Sequence, residues 1–445
     1  MNTTQQHIVA IEIGSSKIKG AVGIIDSDNH LSVKAIEEGH QNPNYVRYGY
    51  VQNVKEVANE LDKVIAKLNA SIAPARITSA YISVGGRSMK TTPTTLTHSL
   101  PGRMEVTHDM VQQLLNQAKP FSPDREILDV EPVEFLLDGK SQGGNPEGFL
   151  CKEIGCKANL VTCRSQLLNN LSLAITDKLG IRINGYVVRP TALADLVVSA
   201  DERRLGAVLV DFGAETTTVA IYKGGSLRYL ATIPLGSRHI TRDIMNLPCT
   251  EEQAEQLKRT VGNANSFTVQ RSNIIGEIDN TELNNYVSAR VGEIVSNVFA
   301  QLNYAGFSDA DLPGGIVLVG GGAQLMGFAD ALSSTTGMNV RRGAMPPTVH
   351  LAGAKIRTTE DLDIISTLFH LAGHEGLATC ITTPDNTELP PVEEDSQDDE
   401  IPENIEEEIE EIRPRRGFGR RMMDALRGTL APAKDTDDDD SEDDY

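Results

Sequence analysis

The chain is missing several things, and each absence closes off a class of function. It has no run of 18 apolar residues, so no spanning helix is expected. Its start, MNTTQQ, is polar and lacks the basic region and apolar stretch of a secretion signal. The five cysteines, Cys151, Cys156, Cys163, Cys249 and Cys380, are odd in number and have no zinc-type spacing, which predicts reduced thiols of the cytosolic kind. The nine histidines are scattered, and no Ser/His/Asp, Cys/His or metal-cluster pattern stands out. A basic body is missing too. The net charge is −21, but residues 392–411 carry 12 acids and no base, and residues 435–445 carry 8 acids and no base. Residues 412–434 between them hold seven bases and one acid, which leaves residues 1–391 at −7. A body of that charge offers nucleic acid no electrostatic footprint.

What is present suffices for two substantial cores: 445 residues, 40% of them hydrophobic. Residues 208–222 read VLVDFGAETTTVAIY, a β-rich apolar run that ends at Asp211, turns through Gly213 and restarts. Residues 8–23, IVAIEIGSSKIKGAVG, repeat the pattern with Glu12 as the acid and Gly14 at the turn. An acid at a strand end followed by a small-residue turn suits a metal-chelated phosphate. The carboxylate holds the cation, directly or through water, while backbone N–H groups and hydroxyls meet phosphate oxygens. The first turn offers Gly14, Ser15, Ser16 and Lys17; the second offers Gly213, Ala214, Glu215, Thr216 and Thr217. Either turn alone also reads as an ordinary hairpin. Two of them, one in each half, predict a duplicated fold closing on one nucleotide from both sides. Glu215 strains the pattern, because a carboxylate beside a phosphate loop repels the ligand unless it turns outward or shares the metal.

The remaining elements follow the repeat. Strands at 7–13, 17–25 and 30–37 precede a helix at 51–68 and a strand at 80–84. Residues 87–163, rich in Thr, Pro and Gly, read as an inserted α+β piece with a helix at 107–119 and a strand at 127–137. A helix at 165–178, a strand at 185–188 and a helix at 190–200 lead into the second hairpin, whose third strand is 226–233. Then come a helical SRHITRDIM, a helix capped by Thr250, a long amphipathic helix at 283–302 and a last helix at 361–376. From residue 384 the Pro/Glu/Asp-rich composition predicts disorder through 411.

Three further features suit an adenosine. Gly320, Gly321 and Gly322 end a buried strand and open a helix, removing side chains where ribose and base can lie, although a tight strand–helix turn needs glycine as well. Gly236 precedes SRHITRDIM and is grouped with them. Glu255 and Lys258 share a helix face, the acid suited to ribose hydroxyls and the lysine to the base; an exposed ion pair is the plainer reading.

In this order the features resemble the actin/Hsp70/sugar-kinase superfamily and, within it, the FtsA family of bacterial cell division. EIGSSKI is similar to that family's first phosphate segment, where Glu often replaces the superfamily Asp. RPTALADLVVSADERRLGAVLVDFGAETTTVAIYKGGSLRYLATIPLGSRHITRDI resembles its connecting helix and second phosphate segment. AEQLKRTVG and GGIVLVGGGAQLMGF continue a likeness that covers about residues 7–380. It implies an α/β, actin-like duplicated two-lobe fold with an inserted 1C-type α+β subdomain and a disordered acidic C-terminal tail. Lobe 1 (1A) would take residues 1–86 and 164–205, the 1C insert 87–163, and lobe 2 (2A) 206–236. Subdomain 2B would take 237–310, and 2A with the return to lobe 1 would take 311–383. An acidic linker at 384–412, a membrane-targeting helix at 413–431 and an acidic tail at 432–445 would follow. The resemblance also implies ATP and Mg2+ as cofactors, with the metal at Glu12 and Asp211 and with weak or absent ATPase activity. The implied partners are copies of itself in filaments, the C-terminal tail of the tubulin-like FtsZ bound by 2B, and downstream division proteins. The implied place is the cytoplasmic face of the inner membrane at the septum. Two departures stand out: Glu215 replaces a glycine of the usual GGGT-type turn, and an acidic tail follows the membrane helix.

On a helix from Phe418, the residues Phe418, Met422, Ala425, Leu426 and Thr429 share one side, with Met423 counted among the apolar contacts. Arg416, Arg420 and Arg427 fall opposite, and Pro432 ends the run. This is an interfacial pattern for an anionic membrane surface, and a basic patch folded onto the acidic linker is its rival. Other functions lack their parts. A sugar kinase or polyphosphatase needs a base beside its reacting group, and none is evident. A chaperone needs a folded domain after about residue 380. A pilus-assembly homologue differs by its partner.

Overall fold

The computed structural model describes residues 6–26, 30–40, 42–265, 274–275, 278–352, 357, 360–374 and 376–383. The linker, the acidic tail and the membrane-helix residues Arg416, Phe418, Arg420, Met422, Met423, Leu426 and Arg427 lie outside the described residues.

Strands Gln6–Ile13, Lys17–Ile25 and Leu31–His40 form an antiparallel meander. On the far side of the first strand, Ser79–Val84 and then Arg182–Val188 add in parallel. The second half repeats this arrangement strand for strand. Ala207–Phe212, Thr217–Lys223 and Ser226–Ile233 form the meander, and Ile316–Val319 and Val340–Arg342 add in parallel beside its first strand. Runs such as AVLVDF are apolar throughout because every residue of that strand is buried, as a sheet covered on both faces requires. Helix Val54–Ser71 covers the first sheet with Val57, Leu61, Val64 and Leu68, and Asn53 caps it by accepting from Glu56 N. Helix Asn280–Tyr304 buries Leu283, Val287, Val291, Ile294 and Val298 in the second half. One core gathers around Ile11, Leu61, Ile82, Leu193 and Ile365, and the other around Val210, Phe212, Ile221, Val291 and Phe328. The molecule therefore has the two-lobe α/β architecture that the sequence predicts.

The insert has its own small core, with Val111 and Leu114 of helix His108–Leu115 against Cys151, Ile154 and Cys156. Its strands are longer than the composition suggests: Lys90–Glu105, Arg125–Leu137 and Leu150–Arg164. Its sheet also continues into that of lobe 2 through one pairing, Lys90 with Ala231. Buried Asn159 fastens the joint, its Nδ2 donating to Leu227 O at 2.9 Å and Arg228 O at 3.1 Å.

Two helix expectations change. The single helix at 190–200 is two, Arg189–Val197 and Ala200–Leu205, because Ser199 and Glu202 form a capping box that starts a new helix. After the glycines at 320–322 the chain makes a 3-10 turn, Gly321–Gln324, and the α-helix begins only at Phe328. All five cysteines are free thiols.

Candidate functional site

The two meanders turn in the same way. Gly14 N donates to Lys17 O at 2.9 Å, and Gly213 N donates to Thr216 O at 2.9 Å. A Cβ on Gly14 would stand 3.0 Å from Lys17 O and one on Gly213 3.1 Å from Thr216 O, so a side chain at either position would crowd its turn. The acid before each turn is buried near its strand end. Glu12 lies opposite Lys19 and Ser83, and Asp211 opposite Thr218 and Val319.

Both acids meet one side chain. Arg189 Nη1 donates to Glu12 Oε1 at 2.9 Å, and its Nη2 lies 2.8 Å from Asp211 Oδ2. Arg189 opens the helix whose Ala192, Leu193 and Leu196 are buried, so its backbone is fixed by packing. Gly85 leaves room for it: a Cβ there would come within 3.0 Å of the guanidinium carbon. Burial pushes the Glu12 carboxyl up to about 7, with Asp363 adding and with Arg189 and Lys19 pulling it down. Burial opposes the charge on Arg189, but Asp211 and Glu12 outweigh it and hold the guanidinium above its ordinary range. Sequence reasoning missed this residue. The available signal was an arginine directly before Pro190 at the head of an otherwise apolar helix.

The Mg2+ expected at Glu12 and Asp211 does not fit this donor set. Each carboxylate already spends an oxygen on the guanidinium, and Glu12 also faces Lys19 across the strand pair. An ion coordinated by both acids would have to displace Arg189. A polar ligand does fit: Glu12 Oε2, Asp211 Oδ2 and Arg189 Nε are buried without a hydrogen-bond partner, two acceptors and one donor, although Asp211 Oδ2 keeps its ion pair with Arg189.

Glu215 neither turns outward nor stands free for a metal. Its side chain is 0% exposed; Oε1 faces Arg47 Nε at 3.0 Å, Arg238 Nη1 at 3.3 Å and Arg242 Nη2 at 3.3 Å, and Oε2 accepts from Tyr48 N at 2.8 Å. Arg238 also donates to Ser15 O at 3.1 Å, which ties the first turn to the second. Helix Ser237–Ile244 starts on that second turn, with Ser237 N on Gly213 O at 2.9 Å and Arg238 N on Ala214 O at 2.8 Å. Gly236 is small for this reason: a Cβ would reach 2.6 Å from Glu215 N. Thr217 Oγ1 donates to Leu235 O at 2.8 Å, Thr216 is buried and Ser16 is exposed. Lys17 pairs with Glu38 at 3.0 Å, on the third strand.

The three glycines at 320–322 differ in purpose. Gly320, at φ +94°, packs on the second hairpin, where a Cβ would meet Asp211 Oδ1 at 2.7 Å. Gly322 packs on the Phe212 ring, and Gly321 faces nothing within 4 Å. Glu255 and Lys258 are an ion pair at 2.6 Å, with Lys258 buried and also donating to Thr241 Oγ1 at 2.9 Å and Ser237 O at 3.2 Å. Burial lowers the Lys258 pKa.

Comparison with known proteins gives the family. A family model described as cell division protein FtsA matches residues 208–358, and one described as the SHS2 domain inserted in FtsA matches residues 86–162. The cell division protein FtsA of Porphyromonas gingivalis is 32% identical over 339 residues, covering 74% of this chain and 70% of the relative. That of Bacillus subtilis is 29% identical over 356 residues, covering 77% and 79%. Among solved structures, a chain of the PilM–PilN type IV pilus biogenesis complex shares the fold, with a TM-score of 0.60 at 17% identity over 82% of this chain and 98% of that one. The inserted subdomain and a relative that is 32% identical and covered over 70% of its length agree: this chain belongs to the FtsA family of cell-division proteins.

Proposed function

We propose that this chain binds ATP between its two acid-tipped turns, assembles with copies of itself, and holds filaments of the tubulin-like FtsZ at an anionic membrane surface through residues 413–431. The observation that carries the reading is Arg189, which brings Glu12 and Asp211 from opposite halves of the chain to one point. Around that point, Arg47, Arg238 and Arg242 supply the positive charge that a triphosphate needs. The backbones at Gly14–Lys17 and Gly213–Thr217 supply turns narrow enough to approach it. Gly321, with open space beside it, is the member of the glycine triplet best suited to a nucleoside.

Hydrolysis is weak or absent in this reading. Arg189 draws on both Glu12 and Asp211, which weakens each as a base for an attacking water and leaves Glu12 Oε2 as the acceptor without a partner. The same pairing disfavours a sugar kinase. A pilus-assembly role is disfavoured because that likeness stands at 17% identity, while the relatives at 29% and 32% are division proteins. The FtsZ tail would dock within residues 237–310.

For the anchor, each arginine near an anionic surface contributes about 1 kcal/mol and each buried apolar side chain roughly 1.5–3 kcal/mol, offset by the cost of ordering the helix. One anchor then binds weakly and a filament binds through many. The test is co-sedimentation of FtsZ with anionic liposomes. The full chain should carry FtsZ into the pellet, and Met422→Glu or deletion of 413–431 should leave it in solution. Unchanged pelleting by either variant would sink the anchor.

A further inference from the structure

We propose that Arg189 is the resident cation of the two-acid centre, so that nucleotide binds here without a divalent metal ion between Glu12 and Asp211. The inference rests on the nucleotide reading above and departs from the Mg2+ dependence that the sequence alone suggests.

Three observations carry it. The guanidinium is shared: Nη1 donates to Glu12 Oε1 at 2.9 Å, and Nη2 forms an ion pair with Asp211 Oδ2 at 2.8 Å, one acid from each meander. A single arginine thus stands where an ion bridging the two turns would stand, one nitrogen to each acid. Second, the backbone is cut to admit it. Gly85, at the end of the strand Ser79–Val84, lacks the Cβ that would press on the guanidinium carbon at 3.0 Å and on Nη2 at 3.1 Å. Third, Arg189 is the first residue of its helix, at the positive end of the helix dipole, where a cation is disfavoured without acids to compensate it. The two acids give that unfavourable position its reason.

Neighbouring charges agree. Lys19, opposite Glu12, is committed to Asp363 at 2.7 Å and Asp361 at 3.5 Å, so it is not the bridging cation. Arg189 Nε is buried and unpartnered, which leaves one donor for a phosphate oxygen. In this arrangement the arginine neutralises the acids and a phosphate together, and a metal riding on the phosphates alone is not required for binding.

The test uses the full chain and a fluorescent ATP analogue titrated in Mg2+ and in EDTA. Affinity should agree within about threefold between the two buffers, whereas a weakening of tenfold or more in EDTA overturns the proposal. Absence of binding in both buffers overturns the nucleotide reading itself, which separates the two failures. Mn2+ titration followed by electron paramagnetic resonance, without nucleotide, gives a second readout. The wild-type chain should show no Mn2+ site that Glu12→Gln removes; weak binding to the acidic tail is unaffected by that substitution. A Mn2+ site lost in Glu12→Gln overturns the proposal. Arg189→Gln should create such a site, and a folded Arg189→Gln chain without it counts against the arginine as the ion's stand-in.

Discussion

Glu215 shows how a single residue can look wrong in the sequence and be settled in the fold. Beside a phosphate turn its charge is a liability, yet here three arginines and the amide of Tyr48 surround it. Arg238 and Arg242 follow within one helix, but Arg47 and Tyr48 stand some 167 positions away, so no local motif announces the cluster. The acid's task is to hold those arginines in place. Glu215→Gln keeps the shape and the acceptor for Tyr48 while removing the charge. Breaking a buried ion pair from one side costs about 3–5 kcal/mol, and the low end applies because Arg47 and Arg242 can rehydrate. We expect a loss of about 3 kcal/mol in urea unfolding, against about 1 kcal/mol or less for Arg242→Ala, whose side chain is 36% exposed. Equal small losses would show that Glu215 is not the hub of the cluster.

At the scale of elements, the paired strands and the capped helices were legible because their causes are local. Both hairpins occupy their expected spans, and Thr250 accepts from Gln253 N at the helix start foreseen for it. The insert was not, because its evidence is not local. KTTPTTLTHSLPGRME holds two prolines and few apolar residues, and becomes a 16-residue strand only by pairing with Leu150–Arg164. The split of the connecting helix was legible in principle, since SADE is a capping-box sequence. The joint between insert and lobe 2 includes Asn159, whose amide serves two carbonyls, and Thr91, whose Oγ1 accepts from Leu230 N at 2.9 Å. Asn159→Ala leaves Leu227 O and Arg228 O without that donor and should cost about 1–3 kcal/mol in urea unfolding. A change below a few tenths would mean that the sheet pairing and Thr91 fasten the insert without it.

Glu131, on strand Arg125–Leu137 of the insert, should make the stability depend on pH. Burial, then Asp129 and Asp195, push the Glu131 carboxyl up to about 8. The native state thus holds a proton there that the unfolded chain has released above its ordinary carboxylate pKa, so this group stabilises at low pH and its contribution fades as pH rises toward 8. Urea unfolding of Glu131→Gln between pH 5 and 8 should show a flatter decline than the wild type. A parallel decline would assign the slope to other groups.

At the scale of the whole molecule, duplication lets one side chain reach both halves. Each meander presents its acid at the same strand position, so the connecting helix needs only one residue at its head to touch both. The contacts that join the turns are few and polar: Arg189 with Asp211, Arg238 with Ser15 O, and Tyr48 N with Glu215. The halves share an apolar core in which Leu209, Ala220 and Val317 join Leu193 and Ile365, so it is the turns, joined by these polar contacts, that should open locally below the free energy of global unfolding. A ligand gripping both turns adds RT ln(1 + [L]/Kd), about 2.7 kcal/mol at a hundredfold excess over Kd. Amide exchange at residues 14–17 and 213–217 should therefore slow together, by about a hundredfold, when the ATP analogue is added at that excess. Amides of the buried face of Val54–Ser71 give the comparison, because they report the stability of one lobe and not the closure of the turns. Protection confined to one turn would mean that nucleotide is held by a single half, and the shared site would fall with it.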